Sequence, residues 1–173
     1  MKQKCVFLDR DGTINIDKNY LYKKDDFEYL PGALQGLKNL CDNNFLLFII
    51  TNQSGIARGF YSKEDFLSLT EWMLNDLEKR GIKIQKVYFC PHLDEQCDCR
   101  KPKTALFHQA IKEFDIDIEQ SYAIGDKERD VAICKETDCH GIVLYSTENS
   151  TNKNISYIQG GLENASNIIL KRG

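Results

Sequence analysis

The chain has 173 residues, 42% hydrophobic and 28% charged, and a formal net charge of −3. That length supports one domain with a core of its own, and the acidic balance excludes a general nucleic-acid surface. No apolar run approaches the roughly 20 residues that cross a bilayer, and MKQKCVFLDRDGT lacks a signal-peptide core, so a cytoplasmic chain with seven reduced or metal-bound cysteines is expected.

The elements follow in order. Cys5–Asp9 (CVFLD) reads as a strand, Ala33–Asp42 as a helix and Phe45–Thr51 (FLLFIIT) as a second strand. Lys63–Arg80 is a helix in which Phe66, Leu69, Trp72 (or Met73) and Leu77 recur at helical spacing, with Gly81 as its stop. Strand Lys86–Cys90, helix Thr104–Phe114 with Thr104 as its cap, strand Tyr122–Gly125, helix Glu128–Asp138 and strand Gly141–Tyr145 complete the alternation. The polar STENSTNKNIS reads as loop before a short helix around Leu162–Leu170.

Runs such as FLLFII are apolar throughout, as in strands covered on both faces. The alternation predicts an α/β doubly wound, mainly parallel sheet over residues 1–173, with no separate cap domain. Ligands in such sheets lie outside the carboxyl ends of the strands. Four chemically loaded segments fall there: Asp9 and Asp11, Thr51-Asn52-Gln53, the Cys90–Lys101 loop, and Asp126.

DRDGT places two carboxylates one residue apart beside a glycine turn, and GDKERD adds Asp126 and Asp130 at another strand end. Clustered carboxylates repel one another, and an oxygen-only ligand set suits a hard ion such as Mg²⁺. No G-x-x-x-x-G-K-[ST] or G-x-G-x-x-G sequence is present, and Asn52 occupies the first glycine position of a would-be G-x-S-x-G elbow.

Together LDRDGT, TNQSG, CRKP and IGDKERD resemble, in order, the four motifs of the haloacid dehalogenase superfamily of phosphatases. The resemblance implies Asp9 as nucleophile and Asp11 as general acid and base. It further implies Mg²⁺ held by Asp9, the Asp11 backbone carbonyl and Asp126, with Asp130 supporting them from behind. Thr51 offers a hydroxyl and Lys101 a compact positive charge to the transferring phosphoryl group.

Cys90-x-His92-x4-Cys97-x-Cys99 gathers three thiols and an imidazole, a closed tetrahedral set suited to structural Zn²⁺. Disulfides would strand one of the three cysteines, and no C-x-x-C redox pair exists. Fixing this loop fixes the direction of Arg100 and Lys101, which follow it at once. Cys5, Cys41, Cys134 and Cys139 are expected to pack as small hydrophobes, and His108 and His140 to lie outside any ligand set.

Within the superfamily this zinc-loop pattern is similar to two families, the heptose-bisphosphate 7-phosphatases and the histidinol-phosphate phosphatases. The short LDEQ spacer leans to the second. INIDKNYLYKKDDFEYLPGA and TNQSGIARGFYSKEDFLSLTEWM lean to the first, although Lys103-Thr104-Ala105 stands where that family has a proline-glycine turn. The resemblance implies substrate contacts from Asp17, Lys18, Asn19, Tyr20, Thr51, Asn52, Gln53, Ser54, Arg100 and Lys127. Arg100 and Lys127 suit a remote phosphate, and Asp17, Asn19, Asn52, Gln53 and Ser54 suit hydroxyls. The expected partner is a small phosphorylated sugar, with no nucleic acid and no membrane, on a monomeric chain. A non-catalytic phospholigand-binding module and a redox or zinc sensor are the alternative readings.

Overall fold

The apolar run of the second predicted strand lies at the heart of the sheet. In this computed structural model, which describes residues 1–93 and 97–172, it is β2 (Leu46–Asn52). Residues 94–96 of the LDEQ spacer lie outside that set. β2 pairs in parallel with β3 (Ile84–Cys90) on one side and with β1 (Cys5–Leu8) on the other. Beyond β1 come β4 (Tyr122–Gly125), β5 (His140–Val143) and β6 (Ile155–Tyr157), again parallel, in the order β3-β2-β1-β4-β5-β6.

Side chains alternate between two cores, as the strand period of two requires. Val6, Leu8, Leu47, Ile49 and Ile124 pack against α1 (Ala33–Asp42), α2 (Lys63–Lys79) and α4 (Leu162–Arg172). Cys5, Phe7, Phe48, Ile50 and Ala123 pack against α3 (Ala105–Phe114) and the segment Glu128–Lys135. The chain thus winds onto both faces, and the direction of winding reverses between β1 and β4. No helix among the described residues is long and apolar enough to cross a membrane.

Several local expectations are corrected. Glu128–Lys135 is a 3₁₀ segment broken at Val131 (φ −110°, ψ 16°) rather than an α-helix to Asp138. Val131, Ala132, Ile133 and Cys134 are four consecutive buried residues, which an α-helix would spread around its circumference. The end of the supposed polar loop runs into β6, because one buried apolar residue, Ile155, suffices to seat a three-residue edge strand. Thr104 makes no cap bond; its hydroxyl donates to Glu136 at 2.8 Å. Of the pair Trp72 and Met73, Met73 is the buried one. Cys5, Cys134 and Cys139 are buried as expected, and Cys41 is half-buried.

α1 and α4 meet at Gly36, where a Cβ would lie 2.5 Å from the Leu162 carbonyl carbon and 2.6 Å from its oxygen. Alanine is favoured over glycine within a helix by about 1 kcal/mol, but overpacking against main chain costs about 1–3 kcal/mol. Gly36→Ala is therefore expected to lower stability in urea unfolding, against the helix-propensity trend.

Candidate active site

Asp9 follows β1 directly, and its N–H donates to the Ile124 carbonyl at 3.0 Å, fixing it beside β4. The DRDGT turn then bends back through Gly12 at φ +83°, where a Cβ would stand 2.5 Å from Asp126 Oδ2. Only glycine lets the Asp126 carboxylate approach this turn. Asp9 and Asp126 thus flank the gap at which the sheet changes winding direction, the place where open α/β sheets bind ligands.

Lys101 enters from the loop after β3 and is 2% exposed. Its ammonium has three donors and three acceptors: Asp9 Oδ1 at 2.9 Å, Asp130 Oδ1 at 2.7 Å and the Ile50 carbonyl at 2.6 Å. Asp130 Oδ2 accepts from the Lys127 N–H at 3.0 Å. Asn52 brackets the Lys101 main chain, accepting its N–H at 3.0 Å and donating to its carbonyl at 3.1 Å.

Carboxylate oxygens of Asp9, Asp126 and Asp130 lie within 4.8 Å of one another. Burial and the neighbouring Asp130 push Asp9 up to about 7, against the pull of Lys101. Burial and Asp130 raise Asp126 as well. Among the described residues, Asp126 Oδ1 is buried without a hydrogen-bond partner. Crowded acids and an orphaned carboxylate oxygen fit a hard dication.

Asp11 is held differently. Arg10 grips its carboxylate through Nε to Oδ2 at 3.1 Å and Nη2 to Oδ1 at 3.0 Å. Asn15 Nδ2 adds a bond to Oδ1 at 2.9 Å, and Gln53 Nε2 one to Oδ2 at 3.1 Å. Gln53 also donates to Thr51 Oγ1 at 2.9 Å and accepts from the Tyr61 hydroxyl.

Asp9, Asp11, Thr51, Gln53 and Tyr61 are among the residues that line a polar crevice of about 230 Å³. Of the residues expected to contact substrate, Asp17, Asn19, Tyr20, Thr51, Asn52, Gln53, Ser54, Arg100 and Lys127 line it. Asn19 and Tyr20 do so at φ 53° and 64°, left-handed backbone that is costly for non-glycine residues. Lys18 does not line it, and its ammonium pairs with Glu28 at 3.3 Å. The amides of Asn52 and Gln53 are already engaged by protein partners.

In the loop after β3, Cys90, His92, Cys97 and Cys99 bring three sulfurs and one nitrogen within 4.8 Å of one another. Cys90 Sγ lies 3.4 Å from Cys97 Sγ and 3.5 Å from His92 Nδ1, and His92 Nδ1 lies 3.3 Å from Cys99 Sγ. The Cys90–Cys97 separation far exceeds a disulfide bond. The compact soft donor set suits Zn²⁺.

The family model described as polynucleotide kinase 3 phosphatase matches residues 4–157. A D-glycero-alpha-D-manno-heptose-1,7-bisphosphate 7-phosphatase from Campylobacter jejuni is 48% identical over 148 residues, 86% of each chain. The chain belongs to the heptose-bisphosphate phosphatase family of the haloacid dehalogenase superfamily. A D-glycero-beta-D-manno-heptose-1,7-bisphosphate 7-phosphatase from Haemophilus ducreyi is 46% identical over 155 residues, 85% of each chain. The crystal structure of D,D-heptose 1,7-bisphosphate phosphatase from B. bronchiseptica, complexed with magnesium and phosphate, matches with a TM-score of 0.87. That match has 26% identity and covers 98% of this chain and 99% of that one.

Four residues of this heptose-bisphosphate phosphatase family member were not singled out by sequence. Arg58 and Arg129 line the crevice, while Arg10 and Tyr61 hold Asp11 directly and through Gln53. The available signal for Arg10 was its place between two acids at the end of an apolar strand, which invites pairing on burial. Tyr61 carried no local signal, because Gln53 reaches it only through the loop that follows β2.

The buried Lys101 gives a stability test. Lys101→Met leaves Asp9 and Asp130 without their ammonium, and breaking a buried pair costs about 3–5 kcal/mol. Urea unfolding is expected to show a loss of that order. The double variant Lys101→Met/Asp130→Asn should recover part of it by relieving the repulsion.

Proposed function

We propose that this phosphoric monoester hydrolase removes the 7-phosphate of D-glycero-D-manno-heptose 1,7-bisphosphate, in the synthesis of nucleotide-activated heptose. The observation that carries the reading is a crevice lined by Asp9, which pairs with the buried Lys101, and by Arg58, Arg100, Lys127 and Arg129. That arrangement suits a ligand with one anionic group to be attacked and another to be held.

Asp9 attacks phosphorus, the bond to the sugar oxygen breaks, and Asp11 gives that oxygen its proton. Water then attacks the phosphorus of the aspartyl-phosphate, Asp11 takes the water's proton, and phosphate leaves as the Asp9 carboxylate re-forms. Asp9, the Asp11 carbonyl and Asp126 would hold Mg²⁺, which when bound lets an anionic carboxylate approach an anionic phosphate. Lys101 neutralises charge at the attacked group, Thr51 offers it a hydroxyl, and Asp130 keeps Lys101 in place. Arg100 and Lys127 meet the remote phosphate.

Steady-state phosphate release with Mg²⁺ tests substrate and mechanism together. The heptose bisphosphate, offered as both anomers, is expected to have a far higher kcat/KM than histidinol phosphate, whose cationic amine would face these guanidinium groups. The reverse preference overturns the substrate while leaving the mechanism intact. Asp9→Asn is expected to lose turnover by several orders of magnitude with its fold retained, and substantial residual activity removes Asp9 as nucleophile. Arg100→Ala should raise KM for the bisphosphate about tenfold or more, the size of a lost charge-assisted hydrogen bond.

We further propose that Cys90, His92, Cys97 and Cys99 hold a structural Zn²⁺ that organises the approach to Arg100 and Lys101. About one zinc per chain is expected by elemental analysis. Cys99→Ser should lose the metal and lower the melting temperature, while thiol reductants leave wild-type hydrolysis unchanged. A rate that follows the redox state would instead support a sensor.

A further inference from the structure

We propose that Arg10 is the positioning residue that sets Asp11 for its acid and base steps, with Gln53 and Tyr61 as its buttress. This rests on the reading of Asp11 as general acid and base. Arg10 is 1% exposed and is not among the residues lining the crevice, so it acts through Asp11 rather than on substrate. Burying a guanidinium costs several kcal/mol in desolvation unless good geometry offsets it. Here its fork spans both oxygens of Asp11, with Nη2 also donating to the Leu21 carbonyl at 3.2 Å and its Cζ 5.7 Å from the centre of the Phe66 ring.

Arg10 Nε and Nη2, Asn15 Nδ2 and Gln53 Nε2 put four N–H bonds on the two oxygens of Asp11. A carboxylate offers about four lone-pair sites, so the group is saturated and its plane is fixed. Gln53 is itself anchored, with its oxygen on the Tyr61 hydroxyl. Tyr61 is 6% exposed and stacks on Tyr22 at 5.5 Å between ring centres.

Passing a proton to the sugar oxygen, or accepting one from water, requires one of these four bonds to be exchanged for that proton. All four bonds are charge-assisted at the carboxylate, but only the Arg10 pair is also ionised at the donor and bidentate. The Arg10 fork therefore remains as the pivot while an amide bond is exchanged. Lysine, a point charge, cannot reproduce a two-point grip.

The test compares leaving groups in the magnesium-loaded full-length enzyme. Nitrophenolate leaves p-nitrophenyl phosphate without a proton, whereas the sugar alkoxide needs one. In Arg10→Met, kcat for the heptose bisphosphate is expected to fall about 100-fold, the lower range of acid–base contributions, with KM nearly unchanged. Rapid mixing with p-nitrophenyl phosphate should give a burst approaching one nitrophenolate per site, larger than in the wild type, then slow turnover. Phosphorylation of Asp9 then needs no acid, whereas hydrolysis of the intermediate still needs a base. Arg10→Lys should fall between, and Tyr61→Phe, which removes only a hydroxyl, should show the same pattern more weakly.

Equal losses on both substrates without an enlarged burst, or a raised KM with kcat kept, would overturn the proposal. If Arg10→Met does not fold, Tyr61→Phe decides: wild-type kcat and burst count against it. Asp11→Asn separates the two levels. Wild-type turnover there removes the acid–base role, while an enlarged burst there but not in the Arg10 variants removes only the positioning role.

Discussion

Three carboxylates, those of Asp9, Asp126 and Asp130, gather between β1 and β4, and the buried ammonium of Lys101 lies between two of them. Much of the surrounding structure follows from holding that arrangement. Like charges in a poorly hydrated space raise one another's proton affinity, as Asp9 and Asp126 show. Gly12 and Gly125 supply the room, since a Cβ at either would meet Asp126 or Asp130 at 2.5 Å or less. The broken 3₁₀ course of Glu128–Lys135 serves the same end. It returns Asp130 toward Lys101 while burying the next four residues against the sheet.

The crevice brings both signs of charge together. A chain of net charge −3 lines a small polar cavity with Asp9, Asp11 and Asp17 and also with Arg58, Arg100, Lys127 and Arg129. Local fields, rather than the overall charge, decide which ions such a cavity favours. The acids call for a hard cation, and the guanidinium and ammonium groups for an anion such as a phosphate.

The legible part of the fold was the part dictated by short-range pattern. Apolar runs between helical periodicities specify the parallel sheet, and the rule that ligands bind at strand ends gathers Asp9, Asp11, Thr51, Lys101 and Asp126. The roles of neighbouring residues were less legible, because hydrogen-bond partners are set by tertiary approach. Asn52 and Gln53 read as free polar groups for sugar hydroxyls, yet their amides brace Lys101 and Asp11. Arg10 has no assigned role in the motif DRDGT, and burial makes it the grip on Asp11. Lys18 faces Glu28, since an exposed long side chain pairs with whatever acid is near. β6 escaped because three residues are too few for a period to show.

The loop after β3 joins these observations. Lys101 carries a flexible stem with about 2 kcal/mol of rotamer entropy to lose, and its ammonium must reach two acids at once. Its main chain is restrained by β2. The Cys90–Cys99 cluster ends two residues before it, and the Asn52 side chain, from the end of β2, takes both its N–H and its carbonyl. The N–H of Gln53 in turn donates to the Cys90 carbonyl at 2.7 Å, tying the start of the loop to the same strand end. With both ends of the loop fastened to β2, the Lys101 stem has little freedom left to lose when its ammonium settles between Asp9 and Asp130. The attachment of this loop to β2 therefore fixes where a cation sits.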